Sequence, residues 1–184
     1  GEYGKIYVYE HAHVTIKDAK VDVIDSYAMV HKGWGRLVIG EGAEVGTINL
    51  NRCIQYAVNN KKDYKEFLGH VIDLCHKVQM AYNENLKDLQ MHGMLPLFDA
   101  GYINISRQYL TIGINGLVEA AEFMGYKINP NDDYLHFVQE VLGLVEEYNK
   151  KYRSKDVMFN CEMIPAENVG VKHAKWDRED GYFV

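Results

Sequence analysis

"FNCEMIPAENVGVKHAKWD", residues 159–177, joins two kinds of secondary structure through one proline. Phe159 to Ile164 is short and largely apolar, as a strand is, and the residues after Pro165 suit a helix. Proline is favoured at the first helical position, where its missing N–H costs nothing. The amides of Ala166, Glu167 and Asn168 then point outward without intrahelical partners. With the positive end of the helix dipole, they can hold an anion such as a phosphate. The alternative needs no ligand: Glu167 complements the dipole and water satisfies the amides.

Upstream of this unit the sequence is mostly helical. "DDYLHFVQEVLGLVEEYNKKYR", residues 132–153, opens on acids and closes on bases, matching the helix dipole. Its apolar positions 134, 137, 138, 141, 145 and 148 form one stripe. Residues 106–124 read as another helix, stopped by Gly125, with Gly113 and Gly116 inside it. Each internal glycine costs about 1 kcal/mol against alanine unless close packing requires it. A close crossing by another helix or strand is therefore expected there. From Tyr64 the apolar residues fall at 64, 67, 68, 71, 75, 78, 82, 86 and 89. That is helical spacing over about seven turns, with Asp63 as its cap. "HGMLPLFDAGYI", residues 92–103, breaks the pattern, and Asn51 is placed to cap a short helix over "RCIQYAVNN", residues 52–60.

The first fifty residues read differently. "KIYVYEHAHVTI" (5–16) and "AKVDVI" (19–24) are strand-like, and "HKGWGRLVIGEGAEVGTINL" (31–50) sets five glycines between short apolar pieces. Strands lead, helices fill the middle and a strand–helix unit closes the chain, which is an α/β arrangement. The amphipathic stripes are core faces, not cofactor boxes. Burial of the apolar runs near 46–50 and 157–164 is expected, since both are bounded by turn signals.

At 184 residues, with 47% apolar and 25% charged residues, the chain is sized for one core, read as a single domain over 1–184. A net charge of −6 argues against a nucleic-acid-binding surface, and no apolar run is long enough for a membrane-spanning helix. Three cysteines without CxxC spacing favour reduced thiols and a cytoplasmic setting. The chain opens on Gly1 and not Met, as a processed or excised piece would, with partners elsewhere.

Two further positions bear on chemistry. Asn49 stands in an otherwise apolar strand, and a buried carboxamide left unpaired costs about 1–3 kcal/mol, so it needs a partner in the backbone or in a ligand. Cys161 lies on the strand that leads to the proline and is the candidate catalytic thiol. Its neighbour Glu162 faces the other side of that strand, and a free cysteine is more often a small buried hydrophobe. His11 with His13, and His70 with Cys75 and His76, lack the four-ligand spacing of structural zinc, so no metal site is assigned.

"GTINLNR", "ISRQYLTIGINGLVEAAEFMGY" and "MFNCEMIPAENVGVKHAKWDREDGYFV", in that order, resemble the anaerobic (class III) ribonucleoside-triphosphate reductases. The resemblance covers about residues 45–184 and leaves the β-rich, glycine-containing residues 1–45 unmatched. It implies a portion of a ten-stranded α/β barrel around a finger loop, and the reduction of ribonucleotides to deoxyribonucleotides by radical chemistry. The cofactor implied for the complete enzyme is a glycyl radical, made by an iron–sulfur activase that uses S-adenosylmethionine. Asn49 matches the asparagine of the family's "INL" strand near the substrate, and Pro165, Ala166, Glu167 and Asn168 match its "PAE" segment at the substrate-phosphate end.

Where the family carries its "GCR" thiyl cysteine, this chain reads "SYAMVHKGWG", and Cys161 does not match that position. The resemblance therefore implies an incomplete portion that works with a ribonucleoside triphosphate and with the remaining reductase polypeptide or the activase. A non-catalytic nucleotide-binding or protein-interaction module derived from the same fold is the alternative. Open sheet edges in such a portion favour a homo-oligomer, unless the N-terminal region covers them.

Overall fold

The computed structural model describes the strands at 14–16, 21–25, 28–31 and 35–40, residues 43–164 and residues 167–184. Side chains are described over 46–164 and 169–184. Within these bounds the chain forms one seven-stranded sheet with the strands in sequence order, and six α-helices. No described helix is long and apolar enough to cross a membrane.

Strands β1 (Val14–Ile16), β2 (Val21–Asp25), β3 (Ala28–His31), β4 (Gly35–Gly40) and β5 (Ala43–Asn49) form an antiparallel meander. Gly35 and Gly40 are the two ends of β4. This meander pairs along the outer edge of β5, so the N-terminal region covers that edge. His11 and His13 lie outside the described residues.

The sheet then changes character. β5, β6 (Tyr109–Asn115) and β7 (Met158–Met163) run parallel, and parallel neighbours need long crossovers, which here are helical. The first crossover holds α1 (Leu50–Asn59), α2 (Tyr64–Met91) and a short α3 (Pro96–Asp99). The second holds α4 (Leu117–Phe123) and α5 (Asp132–Tyr152), and α6 (Glu167–Glu179) follows β7.

The long helices follow their sequence signals. Asp63 caps α2 by accepting from the Glu66 amide at 2.9 Å, and Asn131 caps α5 through the Tyr134 amide at 2.9 Å. At 28 residues α2 is about 42 Å long and spans the layer. Leu68 and Ile72 from α2, with Phe137, Val141 and Val145 from α5, pack on Ile48, Leu110, Ile112, Ile114 and Phe159 of the three parallel strands. A smaller cluster of Leu86, Leu95 and Phe98 closes the far end of α2.

Three expectations are corrected. Residues 106–124 are not one helix: a 3₁₀ turn at Ile105–Arg107 leads into β6, and only then α4. Leu110 to Ile114 are buried on both faces, so the run lacks the alternation that marks a half-exposed strand and resembles a buried helix. Its β-branched Thr111, Ile112 and Ile114 prefer the strand. Second, the cap of α1 is Asn49, not Asn51: its Oδ1 accepts from the Arg52 amide at 3.2 Å. Third, β5 is buried over 46–50 as expected, but β7 is only partly so, with Met163 64% exposed. Among the described residues β7 pairs with β6 alone, which leaves it at the sheet's edge.

Candidate functional site

The carboxyl ends of β5, β6 and β7 open onto one cleft of about 490 Å³. Asn49, Asn115 and Met163, each the last residue of its strand, line it with Ile164. α4 contributes Leu117 and Glu119, and α6 walls the other side with Gly170, Val171, His173, Ala174 and Asp177. In a parallel sheet the strand ends and the helix starts that follow them converge here, which makes this the usual place for a ligand.

Gly116 lets the chain turn from β6 into α4. Its φ is +77°, and a Cβ there would stand 3.1 Å from Cβ of Asn51 and 3.3 Å from Oδ1 of Asn49. The close crossing expected at this glycine pair therefore occurs at Gly116, and the crossing element is the β5–α1 corner. The register places Asn49 beside Asn115, so two strands that both end in Ile-Asn set two carboxamides side by side at the rim.

The partner of Asn49 is Asp177. Asn49 Nδ2 donates to both carboxylate oxygens, at 3.1 and 3.0 Å. Asn51 Nδ2 donates to Oδ2 at 3.1 Å and Arg52 Nε to Oδ1 at 2.7 Å. Arg52 Nη1 reaches Asp180 Oδ2 at 2.7 Å, and the guanidinium lies 4.8 Å from the centre of the Tyr182 ring. Gln55 and the backbone of Phe183 exchange hydrogen bonds of 2.8 and 2.9 Å. Burial pulls the Arg52 pKa down, but the hydrogen bonds and charges of Asp177 and Asp180 outweigh it and raise it overall. Asp177 is 1% exposed and Arg52 3%. They form a buried ion pair in which the carboxamides of Asn49 and Asn51 also donate to the carboxylate and Asp180 also accepts from the guanidinium.

Pro165 and Ala166 lie outside the described residues. The backbone of Glu167 and Asn168 opens α6, immediately before the cleft-lining segment of that helix. Cys161 is elsewhere: it pairs in register with Ile112, packs against the helix-covered core and does not line the cleft. Burial, with Glu146 and Glu162 adding negative charge, pushes its thiol up to about 11. Glu162 is exposed and accepts from Asn160 Nδ2 at 2.7 Å, so the two neighbours do face opposite sides. Cys53, Cys75 and Cys161 are all free thiols. Cys75 is also pushed up, to about 12, by burial. His76 is enclosed, with Nδ1 2.8 Å from the Ile72 carbonyl and Nε2 2.9 Å from the Asn149 side chain.

Sequence reasoning passed over Asn115, Glu119, His173 and Asp177, and it read Gly116 as a packing position alone. The repeated Ile-Asn ending of β5 and β6 was the signal available for the first of these. His173 and Asp177, one helical turn apart, carried none beyond shared helical phase.

A cleft at the ends of parallel strands, walled by a helix that starts beside it, is the arrangement in which α/β proteins commonly bind ligands. The family model for anaerobic ribonucleoside-triphosphate reductase matches residues 20–183, and the chain belongs to that family. The match extends the family region N-terminally to residue 20, into β2–β4. Solved structures of the anaerobic ribonucleotide reductase from Thermotoga maritima are similar at 32% identity. The form with glycerol in the active site superposes with a TM-score of 0.67, over 73% of this chain and 23% of that one. The complex with dATP and CTP gives 0.68, over 75% and 24%. The form with dATP bound in the specificity site gives 0.67, over 73% and 24%. This chain thus spans about a quarter of the length of those proteins. A comparison with curated proteins gave no match.

Proposed function

We propose that this chain forms the substrate-phosphate end of an anaerobic ribonucleotide reductase, which reduces ribonucleoside triphosphates to deoxyribonucleotides by radical chemistry. The observation that carries the reading is the cleft at the ends of β5–β7 with α6 as its wall, in a chain of this family. The amides of Ala166, Glu167 and Asn168 cradle the phosphates, Pro165 starts the helix without needing a donor, and Asn49 sets the rim. The three parallel strands belong to the ten-stranded barrel of the complete enzyme.

In that enzyme a glycyl radical, made by the iron–sulfur, S-adenosylmethionine-dependent activase, supplies the radical chemistry. The described residues hold no thiol in the cleft lining and no group of metal-ligating side chains, so these residues do not supply a thiyl or an iron–sulfur site there. That machinery is assigned to the remaining reductase polypeptide. What these residues contribute is binding, orientation and one wall of the site, in a cytoplasmic setting.

Calorimetric titration of the chain with CTP tests the cradle. Glu167→Gln leaves affinity unchanged or slightly higher, because a carboxylate beside a phosphate repels it. Ala166→Pro removes one charge-assisted donor and weakens binding by roughly tenfold or more. Equal binding by wild type and Ala166→Pro refutes the phosphate reading and leaves Pro165 as a simple helix start.

A further inference from the structure

We infer that Asp177, gripped by Arg52, Asn49 and Asn51, is the positioning residue that docks α6 as a wall of the cleft, and that this polar latch, not apolar packing, holds the wall closed. For its effect on ligand affinity the inference rests on the phosphate reading proposed above.

Four observations support it. First, no α6 residue belongs to either apolar cluster of the described residues. Second, the buried side chains described on α6 are His173 and Asp177, both polar. Third, the Asp177 carboxylate receives four hydrogen bonds of 2.7 to 3.1 Å, all from the β5–α1 corner. Fourth, the same corner also takes Asp180 and the Phe183 backbone, so among the described residues the contacts between this corner and the helix end are hydrogen bonds and charge, plus one cation–ring contact.

The mechanics follow from where the helix is held. Its start is tied to β7 by the chain, and the strand end is pinned by the Ile164 amide on the Ile114 carbonyl at 3.2 Å. Its far end is held by the latch. A 13-residue helix is about 20 Å long, so freeing the far end leaves a rod hinged at one end. Turning that rod moves its wall residues out of the cleft and swings its first-turn amides and dipole away from a bound anion. Hydrogen bonds lost over a few tenths of an ångström make such a site sensitive to small tilts.

The charge arithmetic says which change matters. Arg52 keeps the part-exposed Asp180 as a partner, so Asp177→Asn leaves its charge only partly compensated and takes the shared carboxylate from four buried hydrogen bonds, whereas replacing both members of a buried pair by neutral groups is often tolerated. Asp177→Asn and Arg52→Gln should each release α6, and the two together should restore docking.

Trp176 reports on this directly. It is half-buried on α6 with its ring centre 6.2 Å from that of His173, and the only other tryptophan is Trp34. In a Trp34→Phe background, acrylamide quenching and emission wavelength of Trp176 are measured alongside far-UV circular dichroism and CTP calorimetry. Asp177→Asn should raise the population with α6 released by roughly a hundredfold, seen as stronger quenching and a red shift while the bulk of the helical signal remains. CTP affinity should fall by about tenfold or more, and Arg52→Gln with Asp177→Asn should return both readings to within about threefold of wild type. Val141→Ala, which weakens the core on α5, serves as the control. It lowers the unfolding midpoint but leaves quenching and CTP affinity of the folded protein alone.

Unchanged Trp176 quenching in Asp177→Asn overturns the latch. A released helix with undiminished CTP affinity overturns its positioning role. If wild type binds no CTP the phosphate reading falls, and the latch is then decided by the quenching of the variants alone.

Discussion

α5 and α6 both follow the sheet's logic, yet they are held to it by opposite means. The buried face of α5 reads Phe137, Val141, Val145 and Asn149, three apolar residues and one amide at successive turns. That of α6 reads His173 and Asp177. Apolar burial is non-directional and tolerates small shifts, so α5 is a fixed support. A buried carboxylate is satisfied in one geometry and costly in every other, so α6 is either docked or loose. The lesson is a division of labour. Stability resides where the helices cover the parallel strands, and the cleft wall depends on a polar device that can be switched without unfolding the core.

The sharpest way to break this contrast is Phe137→Ala. Phe137 is fully buried and contacts Tyr64 and Tyr126, with ring centres 6.3 and 5.0 Å away. Its loss should lower unfolding free energy by about 3–5 kcal/mol in urea titrations. A change below about 1 kcal/mol would mean that the α5 face is not where the stability lies.

Gly116→Ala comes next, because it strikes the junction between the two regions. A left-handed alanine and a Cβ pressed against Asn51 should together cost about 1–3 kcal/mol. Since Asn49 and Asn51 both hold Asp177, its effect should be non-additive with Asp177→Asn in a double-mutant cycle. Strict additivity would separate the turn from the latch.

The smallest effect concerns acid. Burial holds the His76 pKa below the ordinary histidine value, against the raising influence of its hydrogen bonds to Ile72 and Asn149. As placed, Nδ1 faces the Ile72 carbonyl and Nε2 faces Asn149 Oδ1, both acceptors. A neutral ring donates Nδ1–H to Ile72, and its Nε2 is satisfied once the Asn149 carboxamide is turned so that Nδ2, which has no hydrogen-bond partner among the described residues, faces the ring. Because the unfolded chain takes the proton more readily, stability should be level above about pH 6.5 and fall below it. The slope is at most about 1.4 kcal/mol per pH unit. Asp73, held well below the usual carboxylate range by Lys151, Lys77 and Tyr152, contributes stability that persists through this window and is lost only in stronger acid. Urea titrations between pH 7.5 and 5 should therefore slope for wild type and flatten for His76→Gln. A level wild-type profile would show that the α2–α5 interface accepts the charge.

How much of this was legible depended on the range of the interaction. The α2 and α5 stripes, the Asp63 cap and the Gly125 stop were readable because each depends on residues a few positions apart. At Gly125 the φ is +85° and its amide donates to the Glu122 carbonyl at 2.9 Å, closing α4. β6 was misread because a strand buried on both faces loses its period of two. The cleft was half legible. Asn49 stood out as a polar residue in an apolar run, but whether its partner was backbone or ligand could not be read, and it proved to be a carboxylate 128 residues away.

The sequence by itself determined the stripes of α2 and α5, the Asp63 cap, the passage from a strand to a helix after Phe159–Ile164 and the motifs that mark the family. All are local patterns, written in helical or strand period and in short runs of residue types. Tertiary structure alone decided that β6 is a strand between two others, that Cys161 faces the core, and that Arg52, Asn49 and Asn51 meet at Asp177. The physical reason is that a buried charge or amide must find its complement wherever the fold brings one within about 3 Å, and no local pattern records that meeting.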